Sequence, residues 1–139
     1  MDIFVSVRFT ATPVPPYGDI KKSGLSIAFL AEDGRHLYIS NIDAMTQDKV
    51  RLLVMDYLYG FRDVRPLTLC YDDIRVLDIL FDELDAPVPS DLQVRAINAD
   101  LTYGKRMEYY ERTGKPLEHA LYAAHATAYA DGFDVPEWP

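Results

Sequence analysis

Ser6 and Arg8 stand two residues apart in a run rich in β-branched and aromatic residues, 3–9. In a strand that spacing puts both side chains on one face. Ser6 could attack as a nucleophile only with a base beside it, and Glu118 is a poor base at an ordinary carboxylate pKa. Asp72 and Asp73 head a segment of helical period, where the helix dipole favours an anion and no metal is needed to explain an acid. Asp73 is the weak candidate for a metal ligand. His119 and His125 are six apart, on different sides of a helix, which argues against a shared metal. His36 is alone in a strand, and Asp19 reads as a solvated loop residue. Cys70, the only cysteine, lies in the apolar run 67–71. It reads as a buried strand thiol rather than a nucleophile, and no internal disulfide or cysteine-based zinc site can form.

These residues need elements to hold them. The strand at 3–9 is expected to end in the proline-rich loop 13–18, because proline removes ladder donors. A second strand is expected at 24–30, a tight turn at Glu32-Asp-Gly34 and a third strand at 36–40, which makes an antiparallel meander. Val50, Leu53, Val54, Tyr57, Leu58 and Phe61 then recur at helical spacing within 41–61, with Thr46 placed to cap the start and Gly60 near the end. A buried strand follows at 66–71. From Asp72 a helix is expected, with Ile74, Leu77, Leu80, Phe81 and Leu84 on one face. Residues 87–90 form a stiff turn and 92–97 a further strand. Two helices, 101–112 and 117–130, are separated by Thr113-Gly-Lys-Pro116. The tail from about 132 is expected to be irregular. A meander leading into alternating strands and helices predicts an α/β domain, a mixed sheet covered by helices, in one unit spanning 1–139.

Composition narrows the functions. A chain of 139 residues, 49% hydrophobic, can build one real core and is too short for two ordinary domains. Its net charge of -8 and 22 acidic residues disfavour non-specific binding to a phosphate backbone. The start lacks a basic segment followed by an apolar core, and no stretch approaches the roughly 18 apolar residues that span a bilayer. The expected place is the cytoplasm, with no membrane partner. Ten tyrosines invite base stacking. Tyr103, Tyr109, Tyr110, Tyr122 and Tyr129 fall on the last two helices, where amphipathic packing or, if exposed, a protein-binding face explains them. Lys21-Lys22 and Lys105-Arg106 read as solvated basic pairs.

Several segments together resemble 3'–5' exonucleases of the DEDD type, which have a ribonuclease H-like fold. Ile3-Phe-Val-Ser-Val-Arg-Phe9 is similar to the first motif, a strand carrying Asp-x-Glu. Residues 24–34 and 36–39 are similar to the second strand with its turn and to the third strand. Leu69-Cys-Tyr-Asp-Asp-Ile-Arg-Val-Leu-Asp-Ile-Leu-Phe81 resembles the second motif, and Asp100-Leu101 an Asp-Leu that opens the next helix. Glu118-His-Ala-Leu-Tyr-Ala-Ala-His125 resembles the last, His-x-Ala-x-x-Asp-Ala. The compact exoribonucleases of this type are the nearest in kind. The resemblance implies a mixed sheet with a three-strand antiparallel meander plus parallel strands.

Carried over residue by residue, the resemblance implies that Asp-x-Glu falls on Ser6 and Arg8, the second Asp on Asp73, the general-base His on Glu118 and the final Asp on Ala123. Placing the His at His119 instead would put the next Ala and Asp on Leu121 and Ala124. The first register keeps Ala120 and Ala124 and is preferred. Two-metal cleavage needs clustered oxygen anions for hard Mg²⁺ or Mn²⁺. Serine is a weak ligand, arginine cannot ligate a metal, alanine offers nothing, and one aspartate cannot hold two ions. The expectation is a degenerate site with no catalytic residue and no cofactor, in which Arg8 fills the metal position and pairs with Asp73, Glu118 or both. The protein would then act by binding a protein partner or a second copy of itself. Two alternatives stand beside it: a nucleic-acid-end binder that does not cut, and an active exonuclease using Mg²⁺ or Mn²⁺ through displaced ligands.

Overall fold

The computed structural model of the chain describes residues 1–14, 19–40, 45–64, 66–83 and 91–133, with the backbone alone for 9–14, 19–24 and 83. Among these residues five strands form one mixed sheet: β1 (Asp2–Val14), β2 (Asp19–Ala31), β3 (His36–Ile39), β4 (Thr68–Tyr71) and β5 (Gln93–Ala96), in the order β3-β2-β1-β4-β5. The meander β1-β2-β3 is antiparallel, and β4 and β5 run parallel to β1. The helices are α1 (Gln47–Tyr59), α2 (Arg75–Leu77), α3 (Ala99–Thr113) and α4 (Ala120–Ala130).

Side-chain alternation sorts β1 between two layers. Ile3, Val5 and Val7 face α1 and join Ile27, Phe29, Val50, Val54, Leu58 and Leu69 in the larger core. Phe4 faces the other way, with Leu30, Cys70 and Ile97, onto Ala124 and Ala128 of α4. Each large apolar side chain fully removed from water contributes about 1.5–3 kcal/mol before entropy is counted. α3 lies against α4, so α4 is covered on both sides. That is why its sequence is apolar all round and rich in alanine: Ala120, Ala123, Ala124, Ala126 and Ala128 are all buried.

Local signals act where the sequence places them. Thr46 Oγ1 accepts from the Lys49 amide at 3.4 Å and starts α1. Arg35, in the β2–β3 turn, donates to the Gly60 carbonyl at 2.9 Å and lies 3.8 Å over the Phe61 ring, which fixes the end of α1 to the sheet. Asn98 caps α3 by accepting from the amides of Asp100 and Leu101, and Gly114 ends it at φ 71, a left-handed position that suits glycine.

Three expectations are corrected. The first hairpin is longer than expected: β1 continues to Val14 and β2 begins at Asp19, with Pro13 paired to Ile20. Asp19 therefore opens a strand instead of lying in a loop. β4 pairs with Asp2–Val5, so among the described residues one side of β1 is an edge beyond that point, where a missing N–H is tolerated. The register shift between Arg8 and Thr10 bends the hairpin at that point. Next, the helix after β4 is only three residues of α-helix, followed by π-helical turns over Asp78–Glu83. Val76, Ile79 and Leu80 are buried, whereas Ile74, at the cap of the short α-helix, is exposed; the wider winding from Asp78 onward changes the period of the inner face. Finally, α4 begins at Ala120, so Glu118 precedes the helix. Leu84, the stretch 41–44, the stiff turn 87–90 and the tail from 134 lie outside the described residues. Among the described residues, no helix is long and apolar enough to cross a membrane.

Candidate functional site

The α4 face of the sheet carries the polar residues. β1 contributes Ser6 and Arg8 there because they share the parity of Phe4. The parallel register sets Phe4 beside Cys70 and Val5 beside Tyr71, and one step further brings Ser6 to Asp72. Ser6 Oγ donates to Asp72 Oδ1 at 3.4 Å, and Arg8 Nη2 reaches Asp72 Oδ2 at 3.4 Å. Asp72 is almost fully enclosed, its side chain 4% exposed. Arg106 of α3 approaches the same oxygen at 3.9 Å, so one carboxylate sits between two guanidinium groups.

Arg8 does more than pair. Its Nε donates to the Leu117 carbonyl at 3.0 Å and Nη1 to the Val7 carbonyl at 2.7 Å. It therefore ties β1 to the turn that leads into α4. Arg106 Nη2 donates to the Ala99 carbonyl at 2.9 Å. The expectation of a solvated Lys105-Arg106 pair is corrected for Arg106, which folds back over α3 towards Asp72; Lys105 stays exposed beside Glu108 at 3.4 Å.

The structure separates Asp72 from Asp73. Asp73 turns to Arg75, whose Nε it meets at 3.0 and 2.9 Å, with a further Nη2 contact, and it also accepts from the Arg75 amide at 3.0 Å. The Arg75 guanidinium holds the Asp73 carboxyl below the usual range; partial burial opposes this, and the charge of Arg8 adds a smaller push down. Asp73 thus acts at the start of a helical turn, as its neighbourhood in sequence suggested. The expected pairing of Arg8 with Asp73, Glu118 or both is corrected: its partner is Asp72. Glu118 is exposed in the turn before α4, and Ala123 is buried within α4. Ser6 is 1% exposed, so its hydroxyl is closed to a substrate.

A second ionic group lies at the other end of the same face. Arg95 of β5 donates to Asp131, just past α4, at 3.2 and 2.6 Å. It also reaches Asp2 at 3.4 Å and the Cys70 sulfur at 3.2 Å. Burial pushes the Cys70 thiol up to about 11, against the lowering effect of Arg95, so the thiol stays protonated and inert at neutral pH. Arginines at both ends of α4 thus bind it to the sheet.

The histidines stand apart, as their spacing requires. His119 Nδ1 accepts from the Leu121 amide at 3.2 Å and caps α4, and its ring is stacked between Tyr38 at 4.5 Å and Tyr122 at 4.4 Å. Burial lowers its pKa. His125 is buried against Tyr109, with ring centroids 5.1 Å apart. Of the tyrosines on the last helices, Tyr109 is core, Tyr122 and Tyr129 are half-buried, and Tyr103 and Tyr110 are exposed.

Among the described residues, no three His, Cys, Asp or Glu side chains converge on a point where a metal could bind. The donor chemistry agrees with this. Among the described residues Asp72 is the carboxylate that reaches Ser6 and Arg8, it is already neutralised twice over, and a divalent ion there would meet Arg8 and Arg106. The described residues around Ser6 and Arg8 do not fit a two-metal centre.

In the sequence Asp72 reads only as a further acid at the helix start, and no local pattern marks Arg95, Asp131 or the inward turn of Arg106. The parity of Cys70 and Asp72 was available as a signal, but not the register against β1. A comparison with protein-family models finds no match to this chain, and a comparison with curated proteins finds none.

Proposed function

We propose that this chain is a non-catalytic protein on a ribonuclease H-like scaffold of the DEDD 3'–5' exonuclease type, which works by binding rather than by hydrolysis. The partner is another protein or a second copy of the chain, and the working compartment is the cytoplasm. The antiparallel meander joined to two parallel strands beyond β1 supports the scaffold. So does the placing of Ser6, Arg8 and the Asp72-Asp73 pair at one end of adjacent parallel strands.

The observation that carries the reading is the Arg8–Asp72 pair. Two-metal hydrolysis depends on anionic side chains holding ions about 3.5–4 Å apart. On this face a guanidinium holds Asp72, a buried serine supplies only a hydroxyl, and Ala123 supplies no donor, while Asp73, on which the resemblance puts the second Asp, turns to Arg75. The fixed cation gives the carboxylate its partner. No resident Mg²⁺ or Mn²⁺ belongs to this proposal. The net charge of -8 makes a protein surface the better partner than a phosphate backbone.

The test is to incubate the chain with end-labelled single-stranded RNA and DNA in Mn²⁺. Intact substrate is the expected result. Metal-dependent shortening that Asp72→Ala or Asp73→Ala removes overturns the proposal. A gel-shift series across salt covers the non-cleaving alternative, since tight binding that collapses with salt identifies a nucleic-acid-end binder.

A further inference from the structure

α1 carries a ridge that the core does not use. Its inner face buries Val50, Val54 and Leu58. On its outer face Asp48, Leu52, Met55 and Tyr59 follow one another at intervals of four, three and four residues, which aligns them along one side of the helix. Leu52 is 58% exposed, Met55 36% and Tyr59 66%. Turn hydrogen bonds from Phe61 to Leu58, Arg62 to Tyr59 and Val64 to Phe61 carry the helical course past Gly60. Arg62 then lies 4.6 Å over the Tyr59 ring and extends the ridge.

The ridge therefore has an acidic end, an apolar middle and a basic end. Among the described residues Asp48 has only a loose contact, with Arg51 at 3.9 Å, and its side chain is 89% exposed. Arg62 donates to the carbonyl of Tyr59, and no described carboxylate pairs with it. Asp48 and Arg62 stand seven residues on either side of Met55. A pattern with opposite charges at equal distances from its centre is complementary to its own reversed copy. A two-fold axis at Met55 sets Met55 on Met55, Leu52 beside Tyr59 and Asp48 against Arg62. A parallel copy would set Asp48 on Asp48.

We infer that this ridge is the contact surface of an antiparallel, two-fold dimer of the chain, formed α1 to α1. The inference rests on the binding reading above and narrows its partner to a second copy. A standard stable interface buries about 800 Å² on each partner. One ridge of a 13-residue helix supplies less, so the dimer is weak and forms as concentration rises.

Sedimentation equilibrium and light scattering on the full chain, from low micromolar to near-millimolar concentration, read this directly. The expected mass rises from 15.8 kDa towards twice that value. Asp48→Arg alone and Arg62→Glu alone each weaken the dimer about tenfold, because every copy then meets a like charge at both ends. The two changes together restore it, a result that a purely apolar contact would not give. Leu52→Lys abolishes it. Met55→Cys gives a disulfide-linked dimer on mild oxidation, with Cys70 buried and uninvolved. These side chains are exposed, so an unchanged circular dichroism spectrum is expected and is checked for each variant. A monomer at every concentration, or a dimer indifferent to the charge reversals and to Leu52→Lys, overturns the inference. A monomer that also leaves RNA and DNA intact keeps the binding reading and gives the ridge to a different protein. Metal-dependent cleavage overturns the binding reading whatever the mass.

Discussion

Asp72 and Asp73 are adjacent in the chain and take different arginine partners. Asp72 points onto the α4 face, enclosed beside Ser6, Arg8 and Arg106. Asp73 points away to Arg75 and sits at the start of a helical turn. Strand alternation carries the chain direction one residue beyond β4, and the helical turn then begins.

The first prediction follows from the difference in burial. Asp72→Ala leaves two partly buried guanidinium groups facing each other, and the cost is about 3 kcal/mol, the low end for breaking a buried pair because solvent reaches Arg8. Arg8→Met leaves Arg106 beside Asp72 and costs less, about 1–3 kcal/mol, through lost charged hydrogen bonds to Asp72 and Leu117. Chemical denaturation of both variants and of the double variant checks this. The double variant should lose less than the sum of the singles, since the two residues share one interaction.

Asp73 gives a smaller and pH-dependent effect. Its folded pKa is depressed, so its contribution is present above the ordinary carboxylate range and is lost as pH falls through the lower folded value. Arg75 is 45% exposed, so solvent screens the pair and Arg75→Ala costs less than about 1 kcal/mol at neutral pH. Thermal melts of wild type and Arg75→Ala should converge as the pH is lowered into the acid range.

His119 is a cap that works only as a neutral base. Its Nδ1 must accept from Leu121, and burial holds its pKa below the ordinary histidine value. Tyr38 and Tyr122 face the ring, with Lys115 near Tyr122 and Glu118 beside it in the chain. In the interval between the ordinary and the lowered pKa the unfolded chain binds more protons. Stability is therefore intact above about pH 6.5 and declines as pH falls below it. His119→Ala loses about 1 kcal/mol at neutral pH, whereas His119→Asn keeps an acceptor and should keep most of that while flattening the slope. Denaturation midpoints from neutral to mildly acidic pH decide this.

Cys70 should be a reporter of unfolding and nothing else. With its thiol pushed up to about 11 and its side chain at 0% exposure, it should resist a thiol reagent at mildly alkaline pH and react at once in concentrated guanidinium chloride. Rapid modification of the folded chain would contradict the packing of β4. Because the folded pKa is raised, stability falls as pH climbs from the ordinary thiol value towards that of the folded state, and Cys70→Ala should reduce this alkaline loss.

Arg95 joins β5 to the end of α4 through Asp131 and touches Asp2 and Cys70. Its side chain is 41% exposed, so Arg95→Met should cost about 1 kcal/mol, and added salt should shrink the difference from wild type. The thiol of Cys70 should become harder still to ionise in that variant, since the nearest cation is gone. Thermal melts across salt and thiol titration measure both effects.

Residue pattern by itself determined the course of the chain: the meander and its Gly34 turn, α1 with its Thr46 cap, the buried thiol strand, and two closing helices parted by Gly114 and Pro116. These follow from periodicity, capping and turn chemistry, which act over a few residues. The same pattern placed Ser6 and Arg8 on one face of β1. Which acid they would meet was decided only in three dimensions, because the β1–β4 register joins residues more than sixty apart, and a shift of one would exchange Asp72 for its neighbour. The inward turn of Arg106 and the clamp from Arg95 to Asp131 depend on where α3 and α4 come to rest. Such contacts arise from the packing of distant elements, which no local signal in the sequence encodes.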